Sequence, residues 1–117
     1  MIEYKEYGAV RNYMPTIENI NIRYIIQKAV AENAIIIDVR SAEAFRQGHI
    51  PMAMNIPLEE IQGGRSNLPR GRTLIFYCES GASSLKAARI LAAKGYRTIN
   101  TVGGIRQYNK ELTVGRQ

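Results

Sequence analysis

The side chains with the greatest chemical reach are the rarest in this chain. Its 117 residues include one cysteine, one histidine and one aspartate: Cys78, His49 and Asp38. Cys78 directly follows Thr73-Leu74-Ile75-Phe76-Tyr77, the strongest strand signal in the sequence, and is followed by Glu79-Ser80-Gly81-Ala82-Ser83-Ser84. In an open α/β sheet, ligands sit beyond the carboxyl ends of the strands. Backbone N–H groups of such a loop can turn inward as an anion-binding nest. A helix starting there adds its unpaired N–H groups and the positive end of its dipole. That field favours the thiolate, which is the nucleophilic form of cysteine. Ser80, Ser83 and Ser84 can donate further hydrogen bonds. A lone cysteine after a strand is ordinarily a small buried hydrophobe. Here the small residues behind it suit close backbone approach to a ligand, which favours a nucleophile in a cup that also binds an anion.

Other chemistries fit less well. His49 could serve as the base of a Cys–His pair, but in Gly48-His49-Ile50-Pro51 a structural hydrogen bond near a turn is the favoured reading. A Cys-x₅-Arg phosphatase loop needs an arginine where this chain has Ser84, because bidentate contacts hold the phosphoryl oxygens. The loop has no Arg or Lys, and Glu79 adds negative charge. One cysteine excludes a Cys₄ or Cys₂His₂ zinc site and an internal disulfide framework. A single aspartate excludes an EF-hand loop. No metal and no organic cofactor is expected.

Charge is unevenly placed. Residues 1–60 carry 6 basic and 8 acidic side chains; residues 61–117 carry 10 basic and 2 acidic. The second half, at +8, should attract anions. Its basic residues are dispersed, with no run of five and no interleaved aromatics to stack bases, so a small anion is preferred over nucleic acid. No stretch has the length of a membrane-spanning helix, and Met1-Ile2-Glu3-Tyr4-Lys5-Glu6 lacks the apolar core of a signal peptide. With an unpaired cysteine, these features point to a cytoplasmic setting.

Elements that would position Cys78 can be read from periodicity. Residues 1–16 show no clear period and read as an N-terminal arm, leaving 17–117 as one domain. Ile22, Ile25, Ile26, Ala29 and Val30 recur at helical spacing, with Asn21 as a start and Asn33 as a stop. Ala34 to Asp38 is a β-branched run suited to a strand buried on both faces. Ser41 caps a short helix that ends at Gly48. Met54-Asn55-Ile56 is a short extended piece, Leu58 to Gln62 a turn or two of helix, and residues 63–67 a loop. Ser84 to Lys94 is helical, with Leu85, Ala88, Leu91 and Ala92 on one face and Lys86 and Arg89 on another. Thr98 to Val102 gives another strand. Gly103-Gly104 turns the chain into a last short helix over Ile105 to Lys110. This alternation predicts an α/β fold: an open parallel sheet with helices on both faces.

Four ordered motifs resemble the rhodanese-like domains of the single-domain thiosulfate sulfurtransferase type, over roughly residues 17–110. They are Ile35-Ile36-Ile37-Asp38-Val39-Arg40; Phe45-Arg46-Gln47-Gly48-His49-Ile50-Pro51-Met52-Ala53-Met54-Asn55-Ile56-Pro57; Ile75-Phe76-Tyr77-Cys78 with Gly81 and Ser84; and Val102-Gly103-Gly104-Ile105. The resemblance implies a sulfurtransferase in which Cys78 takes sulfane sulfur from thiosulfate or a persulfide donor and passes it, as a persulfide, to a thiophilic acceptor. It implies that Glu79, Ser80, Gly81, Ala82, Ser83 and Ser84 line the substrate site. The expected partners are a small anionic sulfur donor and a protein thiol acceptor. Many relatives place Arg after the cysteine or a cation later in the loop; this chain has Glu79, Ala82 and Ser83, with Lys86 and Arg89 beyond them. Tyr108 stands where a Trp is common. Asp38 and Arg40 read as an ion pair that orients the strand end. Two other functions remain open: a non-catalytic interaction module of the same fold, and a sulfur-relay partner of another protein.

Overall fold

A computed structural model describes residues 16–116. The arm expected over residues 1–16 lies almost wholly outside these residues. Five strands form one parallel sheet: β1 (Glu18–Asn21), β2 (Ile35–Asp38), β3 (Met54–Asn55), β4 (Leu74–Tyr77) and β5 (Thr98–Val102), in the order β1-β5-β4-β2-β3. Helices α1 (Ile25–Glu32), α2 (Ala42–Gln47), α3 (Leu58–Gln62) and α4 (Ala82–Ala93) connect them.

Because side chains alternate along a strand, each apolar strand feeds two cores. Ile36, Ile75, Tyr77 and Ile99 join Ile25 and Ala29 of α1 and Phe45 of α2 on one face. Ile37, Leu74, Phe76 and Cys78 join Ile61 of α3 and Ala87, Ala88 and Leu91 of α4 on the other. Every side chain of β4 is buried, since this central strand is covered on both faces. The predicted α/β architecture with helices on both faces is therefore present. Cys78, two residues beyond Phe76, belongs to the α4 face, so the strand's alternation carries it toward the start of that helix.

Some boundaries differ from the sequence reading. Strand β1 was not expected. Its Glu-Asn-Ile-Asn sequence has little intrinsic strand preference, and pairing with β5 at the sheet edge is what extends it. Asn21 does cap, but its side chain accepts from Arg23 N–H of a 3₁₀ turn, Ile22–Tyr24, and α1 begins only at Ile25. Asn33 ends α1 at φ 52°, in the left-handed region that Asn tolerates. The Ser41 cap is present, accepting from Ala44 N–H. Helix α4 starts at Ala82, two residues earlier than expected, because Gly81 at φ 118° makes the turn into it without a side-chain cap. The last helix is one 3₁₀ turn, Ile105–Gln107, and does not reach Lys110.

Candidate functional site at the end of the central strand

Two structures meet at the carboxyl end of β4. The first is a buried charge cluster. Asp38 ends β2 opposite Tyr77, is fully buried, and is surrounded by donors. Arg40 N–H donates to Oδ1 at 2.8 Å, Arg40 Nε to both oxygens at 3.1 Å, and Nη2 to Oδ2 at 2.8 Å. Tyr77 O–H donates to Oδ2 at 2.6 Å and accepts from Ile50 N–H at 3.0 Å. Burial, reinforced by the Asp38 carboxylate, pushes the Tyr77 phenol far above its ordinary range, so it stays protonated and donates. Burial is the largest single influence on Arg40 and opposes its charge, but the hydrogen bond and charge of Asp38, with Tyr77 and Glu79, together outweigh it and leave the guanidinium above its ordinary value. Arg40 Nη2 also donates to the Gly48 carbonyl at 2.7 Å, and Asn55 Nδ2 donates to the Asp38 and Arg40 carbonyls. The cluster thus fixes the chain on both sides of the strand ends.

His49 belongs to this framework. It is 2% exposed, its ring stacks on Phe45 with centroids 3.6 Å apart, and its Nδ1 lies 2.8 Å from the Phe45 carbonyl. Its backbone exchanges two 2.8 Å hydrogen bonds with Thr113. The turn-supporting role favoured from sequence is the one observed.

The second structure is the loop holding Cys78, itself 3% exposed. Gly81 N–H donates to Sγ at 2.9 Å and Ser84 N–H at 3.3 Å. The thiol donates to Ser84 Oγ at 3.4 Å, and Ser84 Oγ–H donates to the Gly81 carbonyl at 3.1 Å. These are N–H groups at and just inside the start of α4, where the helix itself offers no acceptor. Two N–H donors thus converge on the sulfur, and an anionic sulfur accepts them better than a neutral thiol, which is a weak acceptor. Gly81 is required by its φ, and the space where a Cβ would stand is open for at least 4 Å.

The Gly103-Gly104 turn supports the loop from below. Ile105 N–H donates to the Cys78 carbonyl at 2.9 Å. A Cβ on Gly104, at φ 66°, would lie 2.1 Å from the Glu79 carbonyl oxygen. No side chain larger than hydrogen fits while the loop stays in place.

Of the expected loop residues, Gly81 and Ser84 touch the sulfur. Ser80 and Ala82 are exposed and Ser83 is half-buried. The Glu79 side chain turns to two arginines: Arg40 Nη1 at 3.5 Å from Oε1 and Arg106 Nε at 3.5 Å from Oε2. Lys86 and Arg89 lie on the exposed side of α4, opposite Ala87 and Ala88. Sequence reasoning passed over Tyr77 as a polar anchor and Arg106 as a neighbour of the loop. The alternation that buries Tyr77 was legible, but its pairing with Asp38 depends on strand register. Among the described residues, no three His, Cys, Asp or Glu side chains gather as a metal site, and no helix is long and apolar enough to cross a membrane.

Comparison with known proteins agrees with the fold. Residues 24–111 match the family model of the rhodanese-like domain. A sulfurtransferase of Allochromatium vinosum is 37% identical over 78 residues, covering 66% of this chain and 73% of that protein. The thiosulfate sulfurtransferase PspE of Escherichia coli is 35% identical over 72 residues, covering 60% of this chain and 69% of that protein. The crystal structure of a rhodanese homolog from Thermus thermophilus superposes with a TM-score of 0.64 at 34% identity, covering 76% of this chain and 98% of that one. The chain belongs to the rhodanese-like domain family.

Proposed function

We propose that this chain is a sulfurtransferase of the rhodanese kind, with Cys78 as the sulfur carrier. The observation that carries the reading is the pair of N–H donors, from Gly81 and Ser84, aimed at Sγ at the end of a buried strand. The names of the related sulfurtransferases support the reaction class.

In the first step the Cys78 thiolate attacks the sulfane sulfur of a donor. A bond forms from Sγ to that sulfur, and the donor's own bond to it breaks. With thiosulfate, sulfite leaves with the bonding electron pair; with a thiol persulfide, a thiolate leaves. Negative charge then rests on the outer sulfur of the Cys78 persulfide, where N–H groups of the Glu79–Ser84 loop stabilise it electrostatically. In the second step an acceptor thiolate attacks the outer sulfur, and the Cys78 thiolate is the leaving group. The cycle is two-step covalent catalysis and needs no net oxidant. Ser84 holds the sulfur through N–H and hydroxyl, and Gly81 permits the turn.

Intact mass tests the reading. Reduced protein is incubated with thiosulfate and, separately, with glutathione persulfide, beside Cys78→Ser. A gain of one sulfur, about 32 Da, that reducing agent removes and the variant lacks is the expected result. No gain with either donor overturns the enzyme reading and leaves an interaction module.

A further inference from the structure

We propose that Glu79 is a specificity-determining residue that keeps small dianions away from Cys78, so that the preferred donor is a thiol persulfide. In such a donor the sulfane sulfur is joined to a carbon-bound sulfur and not to a sulfonate. The inference deepens the sulfur-carrier reading and takes its catalytic meaning from it.

Four charges stand in a row beside the loop. Asp38 is paired to Arg40 at 2.8 Å, Arg40 to Glu79 at 3.5 Å, and Glu79 to Arg106 at 3.5 Å. The signs alternate and cancel. Glu79 is the residue next to Cys78, and Arg106 follows Ile105, whose N–H holds the Cys78 carbonyl. The row therefore borders the sulfur. Arg40 already serves the fully buried Asp38, with its own side chain only 10% exposed, so it cannot swing out to an anion. Arg106, 74% exposed, is the free arm of the row, and Glu79 occupies it. The row therefore adds no net charge beside the loop. A neutral side chain at position 79 would leave the row at +1 and give an incoming anion the Arg106 guanidinium. Because Glu79 is half exposed, solvent and salt limit the effect to a moderate factor.

The test reads charge selectivity at Cys78 separately from sulfur transfer. The full chain, Glu79→Gln and Glu43→Gln are alkylated at low ionic strength with neutral iodoacetamide and anionic iodoacetate. In each case an Sγ–C bond forms and iodide leaves. Glu43 makes the same net-charge change on α2, on the sheet face opposite Cys78. Glu79→Gln should raise the iodoacetate rate relative to iodoacetamide by about 1.5- to fivefold, the range of one exposed charge pair. Salt should erase the gain, and Glu43→Gln should leave the ratio unchanged. With thiosulfate, KM should fall by a similar factor while kcat moves less, and turnover of cysteamine persulfide, whose ammonium offsets its persulfide charge, should hardly change. An unchanged ratio in Glu79→Gln, or an equal rise in Glu43→Gln, overturns the proposal. The two readings fail separately. A chain that takes up sulfur but shows no ratio change loses only the filter; one whose ratio responds but never gains sulfur loses only the sulfur-carrier role.

Discussion

The two edges of the sheet use ionic groups in opposite ways. At the amino edge, Glu18 at the start of β1, Glu32 at the end of α1, Lys28 and Arg97 form a solvent-accessible network with contacts of 2.8–3.1 Å. At the carboxyl edge, Asp38 is fully buried with Arg40 and Tyr77 around it, and the Cys78 loop stands alongside. Distances are similar at the two edges, so distance does not set their value. Burial does. An exposed pair competes with water and salt, whereas a buried carboxylate must keep every donor or the structure that encloses it yields. The buried cluster makes a rigid strand end, and a rigid strand end lets a short loop hold its N–H groups on one sulfur.

Breaking the carboxyl edge should have the largest effect. Asp38→Ala leaves Arg40 buried without its carboxylate and Tyr77 without its acceptor. We expect a loss of about 3–5 kcal/mol, seen as a lower urea midpoint. A loss under about 1 kcal/mol would equate the two edges and sink the comparison.

The loop's support should come next. Gly104→Ala places a Cβ against the Glu79 carbonyl and forces alanine to φ 66°. The expected cost is about 1–3 kcal/mol, with sulfur uptake by Cys78 slowed more than about tenfold in protein that remains folded. Normal uptake rates would show that the Gly103-Gly104 turn does not position the loop.

The amino edge should respond least. Arg97→Ala is expected to cost about 0–1 kcal/mol, and less in high salt. Lys28 chiefly, and Arg97 after it, hold the Glu32 carboxyl below the ordinary value of 4.5, and Lys28 does the same for Glu18. Their contribution is complete above pH 4.5 and is lost as pH falls through the lower folded values. The small stability gap between the native chain and Arg97→Ala should therefore close on acidification, as followed by thermal melts at stepped pH. A gap that persists in acid would mean that Arg97 acts through packing.

Sequence pattern made some of this legible. The β-branched run before Asp38 and the apolar run before Cys78 each bury a strand on both faces, and only an α/β sheet covers such strands. Small residues after Cys78 marked the loop, and the spacing of Asp38 and Arg40 marked an ion pair. Strand β1 was hidden, since Glu, Asn, Ile and Asn carry little strand preference and their pairing with β5 lies about eighty residues away. The Trp-to-Tyr change at position 108 gave no sign that its helix would stop after one turn.

What the sequence determined by itself is what local chemistry dictates: which segments are apolar enough to be strands, where glycine must turn the chain, and which side chain can be a nucleophile. Tertiary structure alone decided which charges face one another. Arg106 meets Glu79 across 27 positions, and Tyr77 meets Asp38 across 39. The physical reason is that such pairs follow from strand order and register. These are settled by burying two cores at once, and no short window of sequence contains that information.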